Sequence, residues 1–246
     1  MPKIYVNSSD GYCYIENGPF DNDFALYRDA TASAGRNYNS YIGDPIVARK
    51  YDPSQYTMQR VLMVFDTSGI VSMPSSVTLN LYGAPFETWP ATAYYSKPVV
   101  IKSSGDIDLT PYNLTVDDYS AADGWISGSS WAGHVTDYSS VADAPASWVS
   151  SSYNTITLNA AARADMVSLD EFEIMLVNYD YDYLNVDPPS PGTWGYAKAS
   201  SPFYLNEWGN SNGGDAVRAY LDYTPESRVY VGPAGKLIIN SKLTII

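Results

Sequence analysis

Cysteine and histidine are almost missing from this chain: Cys13 and His134 are the single copies among 246 residues. One cysteine excludes an intrachain disulfide, and one of each leaves a zinc site short of ligands. Cys13 sits in the apolar stretch YCYI and is expected as the core thiol of a strand, not as a nucleophile. His134 lies in the loop-like WAGHVTD, and no G-x-S-x-G stretch accompanies it, so a Ser-His-Asp relay has no support. Basic residues are scarce as well, 14 Lys+Arg against 27 Asp+Glu, for a net charge of −13. Such a surface repels phosphate backbones, so nucleic acid is not an expected partner. No stretch approaches the roughly 18 apolar residues of a membrane span, so no membrane partner is expected either. The opening MPKIYVNSSDGY lacks the apolar centre of a secretory signal. The protein is therefore expected to be made in the cytosol and to reach the outside of a cell, if it does, without a cleaved signal, as by lysis. Repeats of roughly 20–50 residues and heptads are absent too.

What the chain has is tyrosine, 23 copies, with 17 glycines, 16 prolines and 45% hydrophobic residues. Tyrosine suits pleated surfaces, where a ring packs while its hydroxyl reaches water. Glycine and proline at this density favour many short strands over long helices. Strands are expected at Ile4–Val6, Tyr12–Ile15, 60–70, 77–83, Val99–Lys102, 155–159, 172–178 and 217–225. Val61 to Phe65 is apolar without interruption, as in a central strand buried on both faces. In VTLNLYG, Val77, Leu79 and Leu81 alternate against Thr78, Asn80 and Tyr82. In VRAYLDYTP, Val217, Ala219, Leu221 and Tyr223 share a face. Residues 18–40 read as a polar, turn-rich stretch, and 103–152 as ordered loop. Asn159 is placed to cap one short helix, AAARADMV. The stretch YDYDYLNVDPPSPGTWG is expected to be irregular. The sequence thus predicts an all-β protein: an antiparallel β-sandwich or jelly roll over residues 1–225, followed by a linker and strand over 226–246.

The stretch RVLMVFDTSGIVSMPSSVTLNLYG, 60–83, is an arginine, a run ending in Phe-Asp, a short loop and an alternating strand ending in Leu-Tyr. It is similar to the DNRLRE-type β-sandwich domains, jelly-roll relatives of carbohydrate-binding modules. The resemblance continues in order. TVDDYSAADGWISGSSWAG, 115–133, looks like that family's acidic-aromatic segment. TITLNAAARADM, 155–166, resembles its strand leading into a short helical turn, EFEIMLVN its next buried strand, and GDAVRAYLDYTP its closing strand. Phage virion proteins that are rich in tyrosine look similar. The resemblance implies a jelly-roll fold and no fixed catalytic residues.

Three chemistries remain to be weighed. Asp21, Asn22 and Asp23 share one loop with Asp29 nearby, a hard-oxygen set that would suit a structural calcium ion, as in many jelly-roll binding modules; the alternative is plain turn formation. Glycoside hydrolysis needs two carboxylates facing across a cleft. Asp117, Asp118, Asp123, Asp180, Asp182 and Asp187 are available, but their spacing pairs none of them. Glycan binding needs exposed aromatic faces. Trp125, Trp131, Trp148, Trp194 and Trp208 lie beside Gly, Ser or Asn, and Tyr179, Tyr181 and Tyr183 would share a face of an extended chain. The alternative for these rings is to cap the ends of the sandwich.

The segment KLIINSKLTII, 236–246, poses the remaining question. Leu237, Ile239, Leu243 and Ile245 fall on one face of an extended chain, and Ile238 joins Lys236, Asn240, Lys242 and Thr244 on the other. An eleven-residue strand would span roughly 35 Å. Left in water it invites aggregation. Either it folds back on its own sandwich or it adds to another subunit's sheet. The second option makes it an assembly strand, joining the chain to itself as a homo-oligomer or to another virion protein. The function expected from all of this is non-enzymatic: a structural protein on the exterior of a phage particle (a decoration, head-fibre or tail-associated subunit). The alternative is a carbohydrate-binding module working through Trp125, Trp131, Trp194, Trp208 and Tyr181.

Overall fold

The computed structural model describes residues 2–6, 11–16, 24–31, 35–37, 47–51, 55–85, 92–104, 115–188, 196–200, 203, 217–226, 228–231 and 237–240. The strands are β1 (Lys3–Tyr5), β2 (Gly11–Glu16), β3 (Gly35–Asn37), β4 (Val47–Tyr51), β5 (Gln55–Asp66), β6 (Ser76–Tyr82), β7 (Thr92–Tyr95), β8 (Pro98–Lys102), β9 (Tyr153–Leu158), β10 (Glu171–Asn178), β11 (Tyr196–Ser200), β12 (Tyr220–Thr224), β13 (Arg228–Val231) and β14 (Leu237–Asn240). Two short α-helices join them, α1 (Phe24–Arg28) and α2 (Ala160–Ser168), with a 3-10 turn at Asp117–Ser120 and a π-helical turn at Tyr179–Tyr183. The protein is all-β, as expected.

One sheet runs β1-β12-β6-β9, antiparallel throughout. The larger sheet is organised on β5. Along one edge β5 pairs with β2, from Leu62 to Thr57. Along the other it pairs first with β4, up to Gln59, and then with β10, from Val61 onward. Beyond β10 lies β8, and beyond β4 lie β11 and β7, the last pair being parallel. Arg60 stands where β5 changes partners.

Alternation explains the burial of β5. Val61, Met63 and Phe65 point between the two sheets, where they meet Val77, Leu79 and Leu81 of β6 and Leu221 of β12. Leu62 and Val64 point to the opposite face, onto a second core with Cys13, Met175, Val177 and Trp131. The larger sheet is therefore covered twice, once by the smaller sheet and once by α1, the loop 115–135 and the π-helical turn. The uninterrupted run Val61–Phe65 is the sequence mark of that double burial.

Asn159 caps α2 as expected: its Oδ1 accepts from the amides of Ala161 (2.9 Å) and Ala162 (3.1 Å), while its Nδ2 donates to the Asp137 carbonyl (2.7 Å). Two expectations need correction. The turn-rich stretch 18–40 holds α1 and β3, which carry too little apolar periodicity to announce themselves. The stretch from Tyr179 is not irregular at its start: it winds into a π-helical turn, with the Asn178 side chain accepting from the Tyr181 amide (3.2 Å). Tyr179, Tyr181 and Tyr183 therefore do not share a strand face; instead the rings of Tyr179 and Tyr183 stack at 5.6 Å.

The segment after Pro225 also differs from a single long strand. Leu237–Asn240 pairs antiparallel with Arg228–Val231, in a register that sets Val229 opposite Ile239 and Val231 opposite Leu237. The expected linker thus contains a strand of its own, built from the β-branched alternation in RVYV. This hairpin forms a two-stranded sheet separate from the other two. Of the expected assembly strand, Leu237, Ile238 and Ile239 lie on β14, whereas Leu243 and Ile245 lie outside the described residues. Among the described residues no helix is long and apolar enough to cross a membrane.

Candidate functional site

The second core holds the molecule's most concentrated polar chemistry. Arg60, Arg28 and Asp182 are each fully buried. Arg60 grips Asp182 side-on, with Nε on Oδ2 and Nη2 on Oδ1, both at 2.8 Å. Its remaining donors reach the carbonyls of Tyr119 and Arg28, each at 2.6 Å. Arg28 Nε donates to the Asp182 carbonyl (2.7 Å), and its Nη1 pairs with Asp29. Trp131 lies against both guanidiniums, 4.7 Å from Arg60 and 5.0 Å from Arg28, and Tyr119 covers Arg60 at 4.0 Å. Burial alone would lower the Arg60 pKa, but Asp182 and the surrounding groups outweigh it and leave it above the ordinary value. The arginine stays charged, and the cluster is a staple joining β5, α1, the 115–135 loop and the π-helical turn. Apart from Arg28 Nη2, which has no hydrogen-bond partner among the described residues, its groups are occupied with one another.

The remaining acidic candidates are spent in the same way. Asp118 accepts from the Thr115 amide and hydroxyl, Asp123 from Thr136 Oγ1 (2.7 Å), Asp180 from Ser96 Oγ (2.6 Å) and Asp187 from the Tyr56 hydroxyl (3.1 Å). Asp117 is exposed. Cys13 is fully buried on β2, with its thiol on the Thr115 carbonyl (3.2 Å), and His134 is exposed. For the calcium expectation, Asp21 and Asp23 lie outside the described residues. Asp29 is committed elsewhere: one carboxylate oxygen to Arg28 and the other to the Gly128 amide (2.6 Å). Among the described residues no group of three or more His, Cys, Asp or Glu could hold a metal ion.

The expected glycan aromatics divide. Trp131 is fully buried over the arginines and presents no face to a ligand, which corrects its place in that set; its ring is taken up by two guanidiniums instead. Trp148 is also buried, at the rim of the inter-sheet core against Tyr95 and Phe203. Trp125 and Tyr181 are half-buried against the second core. Trp194 and Trp208 lie outside the described residues.

Two surface features were not singled out from the sequence. The first is a strip of tyrosines on the outer face of the smaller sheet, with Tyr5 exposed, Tyr82 and Tyr153 half-buried and Tyr220 buried among its neighbours. Tyr5 and Tyr220 approach at 5.7 Å, Tyr220 and Tyr153 at 5.0 Å, and Tyr153 and Tyr82 at 5.2 Å, with Lys3 over Tyr220 at 4.0 Å. Burial and its tyrosine neighbours push the Tyr153 hydroxyl up to about 12, so it stays a neutral donor, bonded to the Arg218 carbonyl. A signal existed: Tyr82 and Tyr220 occupy the outward positions of two alternating strands. What no sequence shows is that strand order sets β1, β12, β6 and β9 side by side.

The second is an open groove of about 450 Å³ between the 137–143 loop and the π-helical turn. Tyr179, Tyr183 and Leu184 supply one wall; Asp137, Ser140 and Asp143 supply the other. Both oxygens of Asp137 take the Tyr183 hydroxyl (2.9 and 3.0 Å), and partial burial raises the Asp137 pKa although that hydrogen bond opposes the shift. Asp143 Oδ2 accepts from the Ser140 amide (2.7 Å) and hydroxyl (2.8 Å). Lys97 reaches the margin, where its Nζ donates to the Val141 carbonyl (3.2 Å).

Compared with models of known protein families and with curated proteins, the chain matches none of them.

Proposed function

We propose that this chain is a non-enzymatic structural protein of a phage particle, a decoration, head-fibre or tail-associated subunit, and that the segment 226–246 is its assembly element. The observation that carries this reading is the β13–β14 hairpin, a two-stranded sheet whose ladder, among the described residues, joins neither of the other two sheets. A two-stranded hairpin is marginal in water by itself and needs a surface to cover it. The framework duties of the buried and half-buried carboxylates agree with a protein that holds shape and does not turn over a substrate. Its partners in this reading are other copies of itself or another virion protein, on the virion exterior. The likeness of 60–83 and the later segments to DNRLRE-type domains belongs to the same proposal. Light scattering and melting on the full chain and on residues 1–225 test it: an oligomeric full chain and a folded, monomeric 1–225 is the expected result, and a monomeric full chain with a destabilised 1–225 assigns the segment to its own domain and removes it.

A second reading, a carbohydrate-binding module, is favoured by the Tyr5–Tyr220–Tyr153–Tyr82 strip more than by the loop tryptophans. Rings on a flat sheet face beside the hydroxyls of Thr78 and Thr155 suit sugar C–H groups and hydroxyls. A glycan array run with wild type and Tyr153→Ala decides it; only binding that disappears with the ring supports this reading.

A further inference from the structure

The charge of the chain is unevenly placed. Residues 227–246 contain Arg228, Lys236 and Lys242 and no acidic residue, so the 14 basic and 27 acidic side chains divide as 3 and 0 there and as 11 and 27 over residues 1–226. A segment of +3 thus follows a body of −16. In an extended chain Ile238 shares a face with Lys236 and Lys242, so a surface that suits that face must offer apolar contact and negative charge together.

The groove between the 137–143 loop and the π-helical turn offers both. Val141, Leu184 and the stacked pair Tyr179 and Tyr183 give it apolar and aromatic walls; Asp137 and Asp143 give it charge. A carboxylate has about four acceptor sites, and among the described residues Asp137 meets one donor group, the Tyr183 hydroxyl. Desolvation has raised its pKa, the condition that an incoming cation relieves. Aromatic walls add attraction for an ammonium group. Lys97, at the margin, is turned onto the Val141 carbonyl.

We propose that this groove is the acceptor for the basic segment 227–246 of a second copy of the chain, with a lysine of that segment placed between Asp137 and Asp143 and Ile238, on the same face, against Tyr179, Val141 and Leu184. The proposal rests on the assembly role assigned to the segment above and adds the surface that receives it. Association through such a contact weakens as salt rises and as pH falls, because both remove the attraction of the two carboxylates.

The test uses the full chain. Val141→Lys puts a positive charge in the groove without removing a carboxylate or its turn hydrogen bonds. Ser152→Lys, exposed just before β9 at the end away from Asn159, adds the same charge elsewhere. Self-association is measured by sedimentation, with circular dichroism melting to confirm folding. Carbodiimide cross-linking of mixed isotope-labelled and unlabelled copies then reports which carboxylates meet Lys236 and Lys242. The expected result is that Val141→Lys weakens association roughly tenfold while Ser152→Lys does not. Cross-links should join Lys236 or Lys242 of one copy to Asp137 or Asp143 of another. An oligomer equally tolerant of both variants, with its cross-links elsewhere, overturns the groove and leaves the assembly role standing. Cross-links confined within single copies overturn it in favour of fold-back. A monomeric full chain overturns the groove as an acceptor for a second copy.

Discussion

Between the two sheets, Met63, Leu79 and Leu221 meet only other apolar groups. On the far face of the same central sheet, Arg60, Arg28 and Asp182 are buried just as completely beneath Trp131 and Tyr119. The first core joins regular strands, whose backbones have already satisfied their own polar groups. The second lies under irregular chain, where carbonyls such as Tyr119 and Arg28 have no ladder to join, and the guanidinium of Arg60 supplies the missing donors. A buried charge becomes affordable where a loop layer needs several donors from one side chain. Apolar packing serves where sheets face each other, and polar stapling serves where a sheet faces loops.

Asp182→Ala should break this comparison most severely. It leaves two buried guanidiniums without their shared counter-charge and should cost about 3–5 kcal/mol in urea denaturation. A loss under about 1 kcal/mol would show that water enters the loop layer and that the staple is not sealed. Leu79→Ala, in the apolar core, should cost about 3 kcal/mol through its cavity; its unfolding should remain a single transition, whereas loss of the staple should release the loop layer separately, seen as amide exchange in 115–135 at unchanged sheet protection. Arg28→Met should cost less than Arg60→Met in the same assay. Arg60 satisfies four acceptors, whereas Arg28 Nη2 has no partner among the described residues even in the native fold. Asn159→Ala should cost about 1 kcal/mol by uncapping α2.

The smallest effect concerns Asp137. Its folded pKa is raised, so the folded chain holds that proton more tightly than the unfolded chain does. Its contribution to stability is therefore complete below the ordinary carboxylate range and is lost as pH rises through the raised value. Asp137→Asn should flatten this part of the stability profile, and the urea midpoints of variant and wild type should converge on acidification.

Much of the sandwich was legible in the chain. The unbroken run Val61–Phe65 announced a strand buried on both faces. Val77, Leu79 and Leu81 announced the inner face of β6, and Asn159 announced the start of α2. The short strands β3, β4, β7 and β11 were not legible, since GRN, VARKY, TAYY and YAKAS carry no clean alternation and gain their pairing from neighbours. The site residues were less legible still. Asp182 stood among the loop carboxylates in a Tyr-Asp repeat, with nothing local to mark it as the partner of an arginine 122 residues earlier. Trp131 looked like a ligand platform because it lies beside Ser and Ala, yet two arginines from distant segments close over it.

The sequence by itself determined the class of the protein, its acidic body and basic final segment, its shortage of thiol and imidazole chemistry, and which strand faces turn inward. These follow from composition and from period-two patterning, which are local properties. Only the tertiary structure decided which carboxylates are spent on arginines, which aromatics remain on the surface, and where Tyr179 and Tyr183 meet Asp137 and Asp143. Those outcomes depend on strand order and loop placement. They arise from contacts between residues far apart in the chain, and no local pattern encodes such contacts.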